Sequence, residues 1–417
     1  MKVYNKKISY GIKFCATKLL RFPLCVALAF LHFTVNAEFH EDTFTYSHDN
    51  VDYMCTLLWK DSVEVEYDGC RLHKNRFTIQ SFKMVSRTDS ADTSYVYLNI
   101  DELFNSCDFS DNIWIDDPVT NYYVTIAENA FNTDIGYYKL IDINSTLACR
   151  LELGEKAFRN AQGLNLFCAD SVELWKIGVG ACAGSSIATF PWDKVQIIGA
   201  CAFQGAYGCD ELCLCNVTNI GMGAFQQSSL RSIELGDRLQ RISAGAFYKC
   251  DQMTNVTINA KAVAIGNYAF CGSGLERIQI LGQSFFDAED CNYWQYGDYE
   301  SWNTHGFSYG IFEKPFFGVF SECKSLKSVV LPDCFWGAVL PKECFANCIN
   351  LNEVAIPEGV EEVGYGAFRN CASLTTLNIP SSLKRVRGAA FVGCSGLMSL
   401  NLANVTTIDS VKNEYQG

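Results

Sequence analysis

The sequence predicts an α/β repeat fold: a solenoid with a parallel sheet on one face and a β-rich cap at its N-terminal end. Three observations carry this reading. A six-residue unit, apolar-Gly-x-x-Ala-Phe, recurs along the chain at a nearly constant period. Each copy is followed by an apolar stretch whose last residues alternate like a strand with one buried face. Before the first copy, residues 38–125 lack the unit but also carry alternating stretches.

The N-terminus is read first. Residues 1–37 hold no Asp or Glu and six basic residues, Lys2, Lys6, Lys7, Lys13, Lys18 and Arg21. An apolar run from Phe22 to Val35 follows, ending at Ala37. A basic region, a short apolar core and a small residue at the cut make a secretory signal peptide. The run is too short to span a bilayer comfortably, which speaks against the competing reading, an uncleaved anchor. Removing six basic residues from 33 leaves 27 against 46 acidic ones, and the net charge moves from −13 to −19. Such a surface repels nucleic acid and anionic lipid. Membrane contact is expected only through the signal segment, if it is uncleaved.

Residues 38–125 are expected to form the β-rich cap or a degenerate first coil. Val63-Glu-Val-Glu-Tyr67 and Tyr95-Val-Tyr-Leu-Asn-Ile100 alternate as strands do. The first coil of a stack exposes an apolar edge unless something covers it.

The solenoid is expected over residues 126–417. Clear copies of the unit are Ile198-Gly-Ala-Cys-Ala-Phe203, Ile220-Gly-Met-Gly-Ala-Phe225, Ile242-Ser-Ala-Gly-Ala-Phe247 and Ile265-Gly-Asn-Tyr-Ala-Phe270. Val363-Gly-Tyr-Gly-Ala-Phe368 and Val386-Arg-Gly-Ala-Ala-Phe391 follow later. Looser copies end at Phe131, Phe158, Cys182, Phe320 and Phe345. Successive Phe residues from Phe203 to Phe270 lie 22, 22 and 23 residues apart. One such period has room for a short strand, a turn and one helical or irregular turn. It cannot bury its apolar face alone, so neighbouring coils must stack and align equivalent residues in ladders. Ala before Phe suits close approach of coils, and Gly suits a tight turn.

Cysteine spacing follows the same logic. Cys250, Cys323, Cys348, Cys371 and Cys394 each lie three residues past the repeat Phe. The favoured reading is a buried ladder of free thiols, each a small hydrophobe with a weak donor. Disulfides between neighbouring coils are the alternative. Cys209, Cys213 and Cys215, with Cys201 nearby, could hold a metal, but no second pair or His stands at zinc-finger spacing. Buried or disulfide-linked cysteines within one coil are the preferred reading, and no metal ligand is assigned.

These units resemble the BspA-like, or Treponema-type, leucine-rich repeats of surface proteins from bacteria and some parasitic protists. The resemblance covers roughly residues 126–408. It implies a leucine-rich-repeat solenoid that is secreted or displayed at the cell surface. It also implies an adhesive role, since some members bind host matrix proteins, and it brings no catalytic motif. Residues 51–67 are similar to strands that cap the repeats in Bacteroides-like members.

Candidate binding residues come from two places. Phe270 and Phe320 are 50 residues apart, and residues 282–317 between them are rich in aromatics, including Trp294, Tyr296, Tyr299 and Trp302. Insertions in repeat arrays map to loops on one face, often the binding face. The rings could instead pack on the solenoid flank. In the strands, residues between inward apolar positions must point out. That row holds Ser232 and Glu234, Asn255 and Thr257, Arg277 and Gln279, Ser328 and Val330. Glu353 and Ala355, Thr376 and Asn378, Ser399 and Asn401 continue it. These mostly small and polar residues suit a broad, shallow contact. Glu234, Thr257, Arg277, Gln279, Asn378 and Asn401 are its candidate contact residues.

Catalytic residues are not expected. The chain after residue 37 has four His, and no metalloprotease helix motif, nucleophile elbow or phosphate-binding loop occurs. No cofactor and no nucleotide partner are expected. The reading is a secreted or cell-surface adhesion module for an extracellular protein or glycan. The alternative is a structural surface-layer component that binds copies of itself. The last coil, ending at Gly417, shows no distinct cap, so either a contact between copies covers it or the reading frame runs on.

Overall fold

The computed structural model describes residues 39–48, 51–66, 71–86, 95–100, 121–133, 136–137, 140–146, 148–259, 262–281, 283–287, 318–331 and 338–410. The signal-peptide reading of residues 1–37 lies outside the described residues. So does the aromatic insertion, apart from the strand Gln283–Asp287. The chain is a β-solenoid of parallel strands, and it divides into two compact units.

The first unit comprises Met1–Phe158 and Leu164–Trp175. It opens with three antiparallel strands, Phe39–His48, Val51–Glu66 and Arg71–Ser86. Pairing then turns parallel: Arg71–Ser86 joins Asn121–Ile126, which joins Ala148–Leu153. A second parallel set is formed by Tyr95–Asn99, Leu140–Asn144 and Leu164–Cys168. Alternation explains these strands. Ile141 and Ile143 in one, and Cys149, Leu151 and Leu153 in another, are buried while the residues between them are not. Phe131 and Phe158 already stack, 6.0 Å between centroids and 3° from parallel.

The second unit, Arg159–Gly163 and Lys176–Gly417, holds the regular coils. Each coil has three hydrogen-bonded sides. The first is a seven-strand parallel ladder: Glu211–Leu214, Ser232–Leu235, Asn255–Ile258, Arg277–Ile280, Ser328–Val330, Glu353–Ala355 and Thr376–Asn378. The second is a ladder of short strands such as Ile197–Ile198, Asn219–Ile220 and Arg241–Ile242. It is interrupted after Gln283–Asp287 and begins again at Val339–Leu340. A single sheet on one face was expected from the sequence, so this second ladder is an addition.

The third side is the Phe turn itself, and it departs from the expected α/β content. Almost no helix occurs among the described residues; in the coils it is the three-residue 3-10 turn Trp192–Lys194. The cause lies in the backbone two residues either side of the Phe in the regular coils. Cys201 and Gly205 have φ of 53° and 63°; Gly223 and Gln227 have 57° each; Glu343 and Asn347 have 54° and 63°. A left-handed residue every fourth position stops a right-handed helix. Instead the N–H groups alternate in direction. Those of Cys201, Phe203 and Gly205 donate to Met222, Ala224 and Gln226 of the next coil at 2.8, 2.7 and 2.8 Å. Those of Ala202 and Gln204 donate back within the coil, to Gly199 and Cys201. The same pattern repeats around Phe225, Phe247, Phe345 and Phe368. A non-glycine left-handed residue costs roughly 1–2 kcal/mol, and the bonds between coils hold it there.

The core follows. Phe203, Phe225, Phe247, Phe270, Phe320, Phe345, Phe368 and Phe391 form one stack, with successive centroids 5.2 to 5.6 Å apart. Phe270 lies directly on Phe320 at 5.6 Å, so the two rings are neighbours in the stack although 50 residues separate them in sequence. Gly199, Gly221 and Gly364 serve close approach rather than a left-handed turn. A Cβ on Gly221 would lie 2.5 Å from the Gly199 carbonyl carbon, and one on Gly364 would lie 2.7 Å from the Leu340 oxygen.

Candidate binding face

The seven-strand ladder sends every second side chain outward. Leu212 and Leu214, Ile233 and Leu235, Val256 and Ile258, Ile278 and Ile280 are buried. Register then aligns their outward neighbours. One row reads Glu211, Ser232, Asn255, Arg277, Ser328, Glu353, Thr376. A second reads Cys213, Glu234, Thr257, Gln279, Val330, with Ala355 beside Asn378. Seven strands spaced about 4.8 Å apart span roughly 29 Å. Glu234, Arg277, Gln279 and Asn378 are exposed, and Thr257 is half-buried. Asn401 is exposed as well, but it lies beyond the last strand of this ladder. Trp294, Tyr296, Tyr299 and Trp302 lie outside the described residues.

Charge along one margin of this face is paired between coils. Lys327 Nζ donates to Glu276 Oε2 at 2.8 Å, and this bond holds the Glu276 carboxyl below its ordinary pKa. Arg231 and Asp210 stand 3.8 Å apart. The second ladder has the same device, Lys384 to Glu361 at 2.7 Å. Arg387 bridges Glu362 at 2.7 Å and Asp409 at 3.1 Å. Exposed pairs of this kind add little stability each. They balance charge at the margin, while the face itself carries exposed Glu211, Glu234 and Glu353 beside Arg277. Sequence reading missed them because each pair joins residues 21 to 51 positions apart.

Behind the face lies the cysteine ladder. The Sγ of Cys250, Cys323, Cys348, Cys371 and Cys394 each donates to the repeat Phe carbonyl of the preceding coil, at 3.0 to 3.1 Å. All five are thiols, four of them buried and Cys394 half-buried. Burial pushes Cys250 and Cys371 up to about 12 and Cys323 to about 11. Neutral, hydrogen-bonded thiols in these positions are packing groups and not nucleophiles. Ser228 and Ser273 occupy the same column, 3.7 and 3.4 Å from Cys250 and Cys323.

The cysteine cluster near residue 210 separates into two kinds. Cys209 is buried and its thiol is pushed up to about 11 by desolvation. Cys213 and Cys215 are joined by a disulfide at the end of the face, and Cys213 is exposed. Glu234 of the next strand stands opposite Cys213.

Stacked parallel coils with aligned Leu, Ile and Phe ladders define a leucine-rich-repeat β-solenoid. The profile of the BspA type leucine rich repeat region matches residues 97–212, 175–289 and 317–412, in six copies, which covers well over half of the chain. The chain belongs to the BspA-type leucine-rich repeat family. Among solved structures it is similar to a leucine-rich cell surface protein from Faecalibacterium prausnitzii. The identity there is 17% over 89% of this chain and 96% of that one, with a TM-score of 0.32. A leucine-rich repeat protein from Bacteroides ovatus is 20% identical over 84% and 98%, with a TM-score of 0.32. The pneumococcal vaccine antigen PcpA is 16% identical over 88% and 78%, with a TM-score of 0.37. A search of curated proteins finds no match.

Proposed function

We propose that this chain is a secreted or cell-surface binding module that catalyses nothing. Its partner is an extracellular protein or glycan. One observation carries the reading: a face about 29 Å long whose outward residues, most of them polar, are aligned in register, with charges paired between coils along its margin. Such a surface suits a broad partner. The acidic excess after residue 37 turns nucleic acid away. The leader pattern of residues 1–37 supports export, and family membership supports surface display.

The segment 282–317 supplies the aromatic anchors that the face lacks, and Trp294 and Trp302 are its leading residues. The test is a glycan and matrix-protein array probed with residues 38–417. A ligand should appear, and Trp294→Ala and Trp302→Ala should each weaken it by more than about 1 kcal/mol with folding intact. Unchanged affinity in both variants returns the segment to packing. Concentration-dependent assembly by sedimentation, with an empty array, favours the self-associating surface-layer reading instead.

A further inference from the structure

The disulfide between Cys213 and Cys215 is placed unlike the other cysteines of the repeat. The thiols of the ladder are turned inward onto Phe carbonyls. Cys213 is turned outward, because Leu212 and Leu214 on either side of it take the core positions. Cys215 follows directly after the strand and is half-buried. One residue separates the two, so the bond closes a minimal loop. A disulfide stabilises chiefly by closing long loops in the unfolded chain, and this one closes almost none. Stability of the solenoid therefore gives no account of why two cysteines meet here.

Parallel pairing adds a third group. Cys213 is in register with Glu234, and the two Sγ atoms and a Glu234 carboxylate oxygen all lie within 4.8 Å of one another. Once reduced, Cys213 on one strand, Cys215 just past its end and Glu234 on the neighbouring strand offer two thiolates and a carboxylate, a donor set for a thiophilic divalent cation such as zinc or cadmium. Three protein ligands leave a fourth position open. While the disulfide stands, the sulfurs carry no charge to offer. We propose that Cys213, Cys215 and Glu234 form a redox-gated site for a thiophilic divalent cation, closed in the disulfide form and opened by reduction.

The chemistry balances with a small monothiol as reductant. Two such thiols together give up two electrons and two protons and leave as one external disulfide. The Cys213–Cys215 bond breaks and both cysteines become thiols. The cation then displaces the two thiol protons to solvent and takes both sulfurs and the carboxylate as ligands. Exposure of Cys213 gives the attacking thiolate its access.

The experiment compares the full chain before and after treatment with glutathione, with the reductant then removed. Cadmium is the probe, followed by equilibrium dialysis and by the thiolate-to-cadmium charge-transfer band. The free thiols among the described residues are present in both forms, so the part of the difference that disappears in a variant lacking the pair belongs to the pair. The reduced chain should bind about one more cadmium ion than the oxidised chain and show the band. Cys213→Ser combined with Cys215→Ser should abolish the difference. Glu234→Gln should keep the band and weaken binding about tenfold. Equal uptake by oxidised and reduced chains overturns the proposal. So does an oxidised-to-reduced difference that survives the double serine variant, or a Glu234→Gln variant with unchanged affinity.

Discussion

At the scale of single residues, the Phe stack and the thiol ladder dominate. Phe247 is fully buried between Phe225 and Phe270, with centroids at 5.6 and 5.2 Å. Phe247→Ala removes a ring that neither neighbour can move to replace. It should cost about 3–5 kcal/mol, read as a shift in the denaturant midpoint. The thiols give a pH signature. Their folded pKa values are raised, Cys371 to about 12 by desolvation first. A raised group contributes fully below its unfolded value, about 8.5 for a thiol, and loses that contribution as pH climbs through the folded value. Stability should therefore hold up to about pH 8.5 and fall between there and pH 12. Cys371→Ser and Cys250→Ser, which do not titrate, should flatten that fall. Both should fold, since Ser228 and Ser273 already fill equivalent positions. These residue-scale features were legible in the sequence, because a fixed three-residue spacing between Phe and Cys survives from coil to coil.

At the scale of elements, the long strands were legible and the turns were not. Ser-Ile-Glu-Leu and Arg-Ile-Gln-Ile show their alternation in four residues. A two-residue strand such as Asn219–Ile220 cannot show a period of two, so the second ladder stayed hidden. The left-handed positions were hidden for a different reason. Gln227, Lys249, Glu343 and Asn370 hold φ of 52° to 62° without being glycine, and only the bonds to the next coil keep them there. The glycines carry the opposite lesson. Gly221 looks like a turn residue and is a spacer, with Gly199 and Ala200 backbone atoms where its Cβ would go. Gly221→Ala should force two coils apart and cost about 1–3 kcal/mol, measured by thermal or urea unfolding. No change in stability would mean the coils can shift freely at that level.

At the scale of the molecule, coils that contact only their neighbours make each outward row a continuous surface. The rows through Ser232, Asn255 and Arg277, and through Glu234, Thr257 and Gln279, were legible from alternation alone. The opposition of Glu234 to Cys213 was not. Cys201, Cys209, Cys213 and Cys215 read as one cysteine cluster, whereas Cys209 is buried in the segment before the strand, with its thiol on the Ala206 carbonyl, and Cys213 takes an outward position of the strand Glu211–Leu214. The proposed binding role rests on the outward face, so the direct measurement is a dissociation constant. The ligand recovered from the array is titrated against the parent chain and against Thr257→Arg combined with Gln279→Arg, two neighbouring positions in one row. The account predicts more than a tenfold loss of affinity with an unchanged unfolding midpoint. Unchanged affinity in that variant would contradict it.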